Sequence, residues 1–109
     1  MPLPLYQVKA EFFRTLGHPA RIRILELLSE RDLAVHQLLA VIDIEASNLS
    51  QQLAVLRLAG LVTQRREAGQ VIYSLAVPQV QDLLRVAREI LMARGGELVD
   101  EISRDPRAS

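Results

Sequence analysis

The stretch SNLSQQLAVLRLAGLV, Ser47 to Val62, changes character twice. It is polar through Gln52 apart from Leu49, then apolar at helical spacing, and after Gly60 the hydrophobic period drops from about 3.6 to 2. A short helix with Ser, Asn and Gln at its start and Leu at its end exposes one tip and anchors the other. The residues after Gly60 read as a hairpin. Leu61 to Arg66 and Gln70 to Ala76 form two short runs joined through Glu67, Ala68 and Gly69, and Val71, Tyr73 and Leu75 alternate in the second.

Upstream, three more helical segments precede this one. Leu5, Val8, Phe12 and Leu16 recur every three or four residues, which predicts an amphipathic helix from about Leu3 to Leu16, closed by Gly17. Pro19 suits the first turn of the next helix, where its missing N–H is harmless. Ile22, Ile24, Leu25, Leu27 and Leu28 make that second helix apolar around most of its circumference, so it is central, ending near Glu30. Asp32 is placed to cap a third helix with Val35, Leu38, Leu39 and Ile42, and Asp43 to Ala46 break it. Ser47 is placed to cap the fourth helix, about 47–59, whose apolar face is Leu49, Leu53, Leu56 and either Leu58 or Ala59. A last helix, about 78–94, carries Val80, Leu83, Leu84, Ala87, Ile90 and Leu91 on one stripe before Gly95 and Gly96; the tail, 97–109, is expected to fray.

The fold expected is mainly α with a small β-hairpin. About five helices and a two-stranded wing make a single winged helix-turn-helix domain over 1–109. The chain has 109 residues, room for one core. It lacks an apolar run long enough for a membrane span, and its N-terminus has no secretion signal, so a cytoplasmic location without membrane partners is expected. With no Cys there is no disulfide, thiolate metal site or Cys nucleophile. Thirteen basic residues balance thirteen acidic ones, so any nucleic acid is met by a local patch.

In a helix-turn-helix the second helix lies in the major groove and meets bases with its N-terminal residues. Ser47, Asn48, Ser50, Gln51 and Gln52 offer donors and acceptors there, and Gln pairs with adenine through two bonds. Arg57 is a candidate phosphate contact. Arg65, Arg66 and Gln70 are the candidates on the wing, about 61–76. Adjacent strand residues point to opposite faces, so only one of Arg65 and Arg66 faces DNA. Between Asp32 and Arg66, the acids Asp32, Asp43 and Glu45 offset Arg57, Arg65 and Arg66, which predicts several modest contacts and dependence on dimerisation.

Three segments, LGHPARIRILELL (Leu16 to Leu28), SNLSQQLAVLRLAGLV and RREAGQVIYSL (Arg65 to Leu75), resemble in order and spacing the ArsR/SmtB family of dimeric bacterial repressors. The resemblance runs from about Phe12 to Leu91. It implies a homodimer built from the first and last helices, through Leu5, Val8, Phe12, Val80, Leu83, Leu84, Ala87, Ile90 and Leu91. It also implies an inverted-repeat operator in double-stranded DNA, with recognition helices in successive major grooves and wings on flanking DNA. The last helix agrees, because its apolar stripe is wider than one small domain needs. Gln70 stands where the family commonly has another Arg.

Members of this family often release DNA on binding a metal. One family site uses Cys-x-Cys on the third helix, where DLAVHQL has Ala34 and His36; another uses His residues on the last helix, which has none. No metal and no cofactor is therefore expected. His18 and His36 are the residual candidates, and they would need carboxylates such as Asp32 or Glu30, or a second subunit. His18 is also placed to cap or support the second helix. The signal is left to pH, a small organic effector or a partner protein. An enzyme is not expected, since no phosphate loop, buried acid pair or nucleophile with its base is evident. The competing class is a winged-helix protein-interaction module.

Overall fold

A computed structural model describes residues 2–95 of the chain; the expected frayed tail, 97–109, lies outside them. The described elements are α1 (Leu5–Leu16), α2 (Pro19–Glu30), β1 (Leu33–Ala34), α3 (Val35–Leu39), α4 (Ala46–Leu58), β2 (Val62–Glu67), β3 (Gln70–Leu75) and α5 (Gln79–Arg94). Chain contacts divide them into two units, Met1–Pro78 and the segment beginning at Gln79.

In the first unit α2 is the central helix, as its all-round apolar pattern predicts. Ile24 and Leu25 have no exposed surface, and α2 packs on α4 and on β3. Leu38 of α3 and Leu49, Leu53 and Leu56 of α4 fill the same core, with Val62 at the start of β2. Fully burying each of these side chains contributes about 1.5–3 kcal/mol. His18 precedes Pro19 as N-cap of α2, and its Nδ1 accepts from the Ala20 amide at 3.2 Å, the capping role expected of it.

Local signals fail at two caps. Asp32 does not cap α3: the N-cap is Ala34, and only half of a capping box is present, with Gln37 Oε1 accepting from the Ala34 amide at 2.8 Å. Residues Leu33–Ala34 instead pair with β3 as a two-residue strand, opposite Tyr73 and Ile72, giving a three-stranded antiparallel sheet of order β1-β3-β2. Its pairing pulls Asp32 away from the helix start. Ser47 does not cap α4 either. The N-cap lies two residues earlier, at Glu45, with no side-chain cap bond, which places Ser47 inside the first turn.

The end of α4 is built as expected around Gly60, with φ +76°. The Gly60 amide donates to the Arg57 carbonyl at 3.0 Å and the Leu61 amide to the Leu56 carbonyl at 2.9 Å, the paired bonds of a Schellman stop. Of the two residues offered for the apolar face here, neither belongs to it: Leu58 is 86% exposed, and Ala59 is exposed too. Between β2 and β3 the turn is only Ala68-Gly69, at φ 52° and 78°, the left-handed pair of a type I′ hairpin, and it sets Glu67 opposite Gln70 and Arg65 opposite Ile72.

The second unit, as far as it is described, is the helix α5. Val80 near its start is buried, Leu83, Leu84 and Leu91 are half-buried, and Ala87 and Ile90 are exposed.

Candidate nucleic-acid interface

Helix α4 carries its polar residues on the side opposite its core contacts. On a 3.6-residue period Ser47, Ser50, Gln51, Ala54 and Leu58 share the face turned away from Leu49, Leu53 and Leu56. Ser47, Ser50 and Gln51 are exposed, and their side chains bond no other described residue. They are free to meet a ligand. Arg57, near the C-terminal end, is likewise exposed and unpaired among the described residues.

Gln52 departs from this set. It is 8% exposed, a buried polar side chain on the core edge of α4. Its Oε1 accepts from Arg21 Nε at 2.8 Å, and its Nε2 donates to Asn48 Oδ1 at 2.8 Å. Arg21 is fixed in turn, because its Nη1 donates to the Thr15 carbonyl near the end of α1 at 3.1 Å. Both polar atoms of the Gln52 amide are thus occupied inside the subunit, and the side chain offered as a base reader instead links α2 to Asn48. Arg21 was missed in the sequence. Its signal was the HPAR segment, which sets an Arg on the first turn of α2 with Gln52 as the polar residue facing it.

Asn48 stands at the margin of the exposed face, half-buried. No buried side-chain nitrogen or oxygen lacks a hydrogen-bond partner among the described residues, and Asn48 Nδ2 has no partner there, so this nitrogen reaches solvent.

On the wing the two arginines differ sharply. Arg65 Nη1 donates to Asp32 Oδ2 at 2.8 Å and to Ser74 Oγ at 2.9 Å, while its Nε donates to Glu67 Oε2 at 2.9 Å. The Arg65 guanidinium, with the Ser74 hydroxyl adding to it, holds the Asp32 carboxyl below its ordinary value. Glu67 first and Asp32 second push the Arg65 guanidinium further toward its charged form. Arg66, one residue on and opposite Val71, bonds no described residue and is exposed. Gln70 is also exposed, beside the turn.

Of the residues assigned to dimerisation, Leu5, Val8, Ala87 and Ile90 are exposed within one chain and Phe12, Leu83, Leu84 and Leu91 are half-buried, whereas Val80 is buried in its own chain and is not open to a partner. On α1, Leu5 is 67% exposed and Val8 48%, with Tyr6 and Phe13 exposed beside them; Phe12 is half-buried, its ring edge-on to Phe13 at 5.5 Å. On α5, Ile90 is 56% exposed. Each helix by itself exposes several large apolar side chains, Leu5, Tyr6, Val8 and Phe13 on α1 and Val86, Ile90 and Met92 on α5. Among the described residues no three His, Asp or Glu side chains gather where a metal ion could sit, and His18 is occupied as a cap. No described helix is long and apolar enough to cross a membrane.

Comparison with known proteins places this geometry in a family. Residues 18–64, from the cap of α2 into β2, match the family model for bacterial regulatory proteins of the arsR family. The uncharacterised HTH-type transcriptional regulator Rv0081 of Mycobacterium tuberculosis is 61% identical over 89 residues, 81% of this chain and 78% of the relative. Its crystal structure superposes with a TM-score of 0.78 at 55% identity, covering 93% of this chain and 99% of that one. A biofilm growth-associated repressor of Agrobacterium fabrum is 39% identical over 85% of this chain and 83% of its own length. The solution structure of a homodimeric winged helix-turn-helix DNA-binding domain from Mycobacterium bovis, a possible ArsR-family regulator, has a TM-score of 0.69 at 27% identity over 79% of this chain and 80% of that one. These relatives are transcriptional regulators, which favours the regulator over the interaction module. The chain belongs to the ArsR family and is a winged helix-turn-helix, DNA-binding transcriptional regulator.

Proposed function

We propose that the protein works as a homodimeric repressor that occludes a promoter by binding an inverted repeat in double-stranded DNA. The observation that carries this reading is the division of α4. Leu49, Leu53 and Leu56 lock one side into the core, while Ser47, Ser50 and Gln51 stand exposed and unbonded on the other. A rigid element with an uncommitted polar tip is what major-groove reading requires. In this reading Ser47, Asn48, Ser50 and Gln51 face base edges, with Arg57 on a phosphate. Arg66 is the wing residue that meets the backbone, with Gln70 beside it. Gln52 and Arg65 act from behind, as supports.

Dimerisation rests on the exposed apolar faces of α1 and α5, each of which a second copy of the chain covers. The homodimeric Mycobacterium bovis domain supports that assembly, and the Agrobacterium fabrum repressor supports the sign of regulation. A mobility-shift assay on the DNA upstream of the protein's own gene, with selection from a randomised duplex pool beside it, tests the reading. A repressor of this kind enriches an inverted repeat and retards it as a dimer. Retardation of all duplexes alike, disappearing with salt, would sink it.

A further inference from the structure

The chain of bonds from Arg21 through Gln52 to Asn48 fixes more than position. We infer that Asn48 addresses DNA only as a hydrogen-bond donor, and that Arg21 sets this polarity through Gln52. The inference rests on the major-groove reading and deepens it by assigning Asn48 a class of base edge. A guanidinium has donors and no acceptor at any accessible pH. The Gln52 atom 2.8 Å from Arg21 Nε must therefore be its oxygen. With Oε1 turned to Arg21, the Gln52 NH2 group is turned to Asn48, and the Asn48 atom 2.8 Å away must be the acceptor Oδ1. The NH2 group of Asn48 is left for solvent, and it is the atom with no partner among the described residues.

Neither amide can turn over alone. Reversing Gln52 would set NH2 against the N–H of Arg21, at a site only 8% exposed, where an unmade hydrogen bond is costly. Reversing Asn48 would set NH2 against NH2. Arg21 is itself pinned by the Thr15 carbonyl, so the polarity is anchored in the backbone at the end of α1.

A free asparagine recognises adenine by accepting from N6 and donating to N7 together. Asn48 cannot do so, because its oxygen is already directed inward at Gln52. Its outward NH2 fits base edges that present acceptors, above all guanine, whose O6 and N7 lie side by side in the major groove. Asn48 is thus a specificity-determining residue that selects guanine, and Gln52 and Arg21 are its positioning residues.

The test uses the full chain and a randomised double-stranded DNA pool. The position read by Asn48 is the one whose preference Asn48→Ala erases, and in the native protein it is expected to be guanine. Gln52→Glu replaces the relay by an acceptor at both ends. Its carboxylate accepts from Arg21 and from the Asn48 NH2, which turns Asn48 Oδ1 outward. The expected result is a switch at that one position, by roughly tenfold, from guanine to a base that presents a donor, cytosine through N4 or adenine through N6, with the rest of the motif kept. Asn48→Asp, half-exposed and safe for folding, shows an outward oxygen without touching Gln52. It is expected to lose the guanine preference in the same way, and it carries the test alone if Gln52→Glu fails to fold. The inference is overturned if Asn48→Ala erases no position, or if folded variants weaken every duplex equally while guanine stays preferred. A native protein that enriches no motif at all overturns the major-groove reading itself, which separates the two failures.

Discussion

Arg65 Nη1 lies 2.8 Å from Asp32 Oδ2 although 33 residues separate them in sequence. The pair ties the wing to the segment that enters β1, and Glu67 and Ser74 complete the set around the same guanidinium. The wing is tied down by one arginine, and the next, Arg66, is left uncommitted.

The Asp32 carboxyl therefore titrates below its ordinary value, and Arg65→Gln moves its midpoint upward toward that value. A depressed folded pKa gives stability that is fully present above the unfolded value and is lost as pH falls through the folded one. Both partners are close to half exposed, so the effect is confined to acid conditions and is small. Carboxyl NMR titration of the two proteins checks it; identical midpoints would contradict the pairing.

The two wing arginines should differ in their salt response. Arg66→Ala is expected to weaken binding to all duplexes alike and to reduce the slope of log K against log salt by about 1. Arg65→Ala removes a residue already neutralised by Asp32 and Glu67, so its slope should change less. Binding isotherms at a series of salt concentrations separate the two. A larger slope change for Arg65→Ala would reverse the assignment.

Leu56 and Leu58, two residues apart on α4, should respond to truncation very differently. Leu56 has no exposed surface, and Leu56→Ala is expected to destabilise by about 2–5 kcal/mol in urea unfolding. Leu58→Ala, at 86% exposure, should stay within about 0.5 kcal/mol. Comparable losses at both positions would mean that α4 is rotated about its axis.

Charge placed on the exposed apolar faces should break the assembly without unfolding the subunit. Val8→Asp on α1 and Ile90→Asp on α5 are expected to sediment as monomers with native circular dichroism. Their affinity for an inverted repeat should fall about a hundredfold, because the second half-site is no longer bound in the same event. Monomers that bind the repeat as tightly as the parent chain would contradict the role given to these faces.

Much of the fold was legible because it is written in hydrophobic period. The all-round apolar pattern of α2, the Leu49, Leu53 and Leu56 face of α4, the Gly60 stop and the hairpin all follow from spacing and turn chemistry. The failures at Asp32, Leu33–Ala34 and Gln52 share one physical source, the competition of long-range pairing with local signals. Asp32 reads as a helix cap until β1 pairs with β3 and brings Arg65 within reach. Ser47 reads as a cap, but the N-cap is Glu45, two residues earlier, a local shift of the helix start. Leu33–Ala34 is a strand only because Tyr73 and Ile72 lie opposite it, and two residues carry no period. In the site, Ser47, Ser50 and Gln51 emerge exposed as their pattern suggested, whereas the inward turn of Gln52 depends on Arg21, 31 residues away. No periodicity records such a pair.

Hydroxyl-radical footprinting of the native protein on a duplex selected from the random pool tests the central claim most directly. Two α4 tips presented by one dimer predict two protected patches, related by inversion, with centres roughly 34–36 Å apart on the same side of the duplex. Protection of a single half-site by a saturating dimer, or two patches on opposite sides of the duplex, would contradict it.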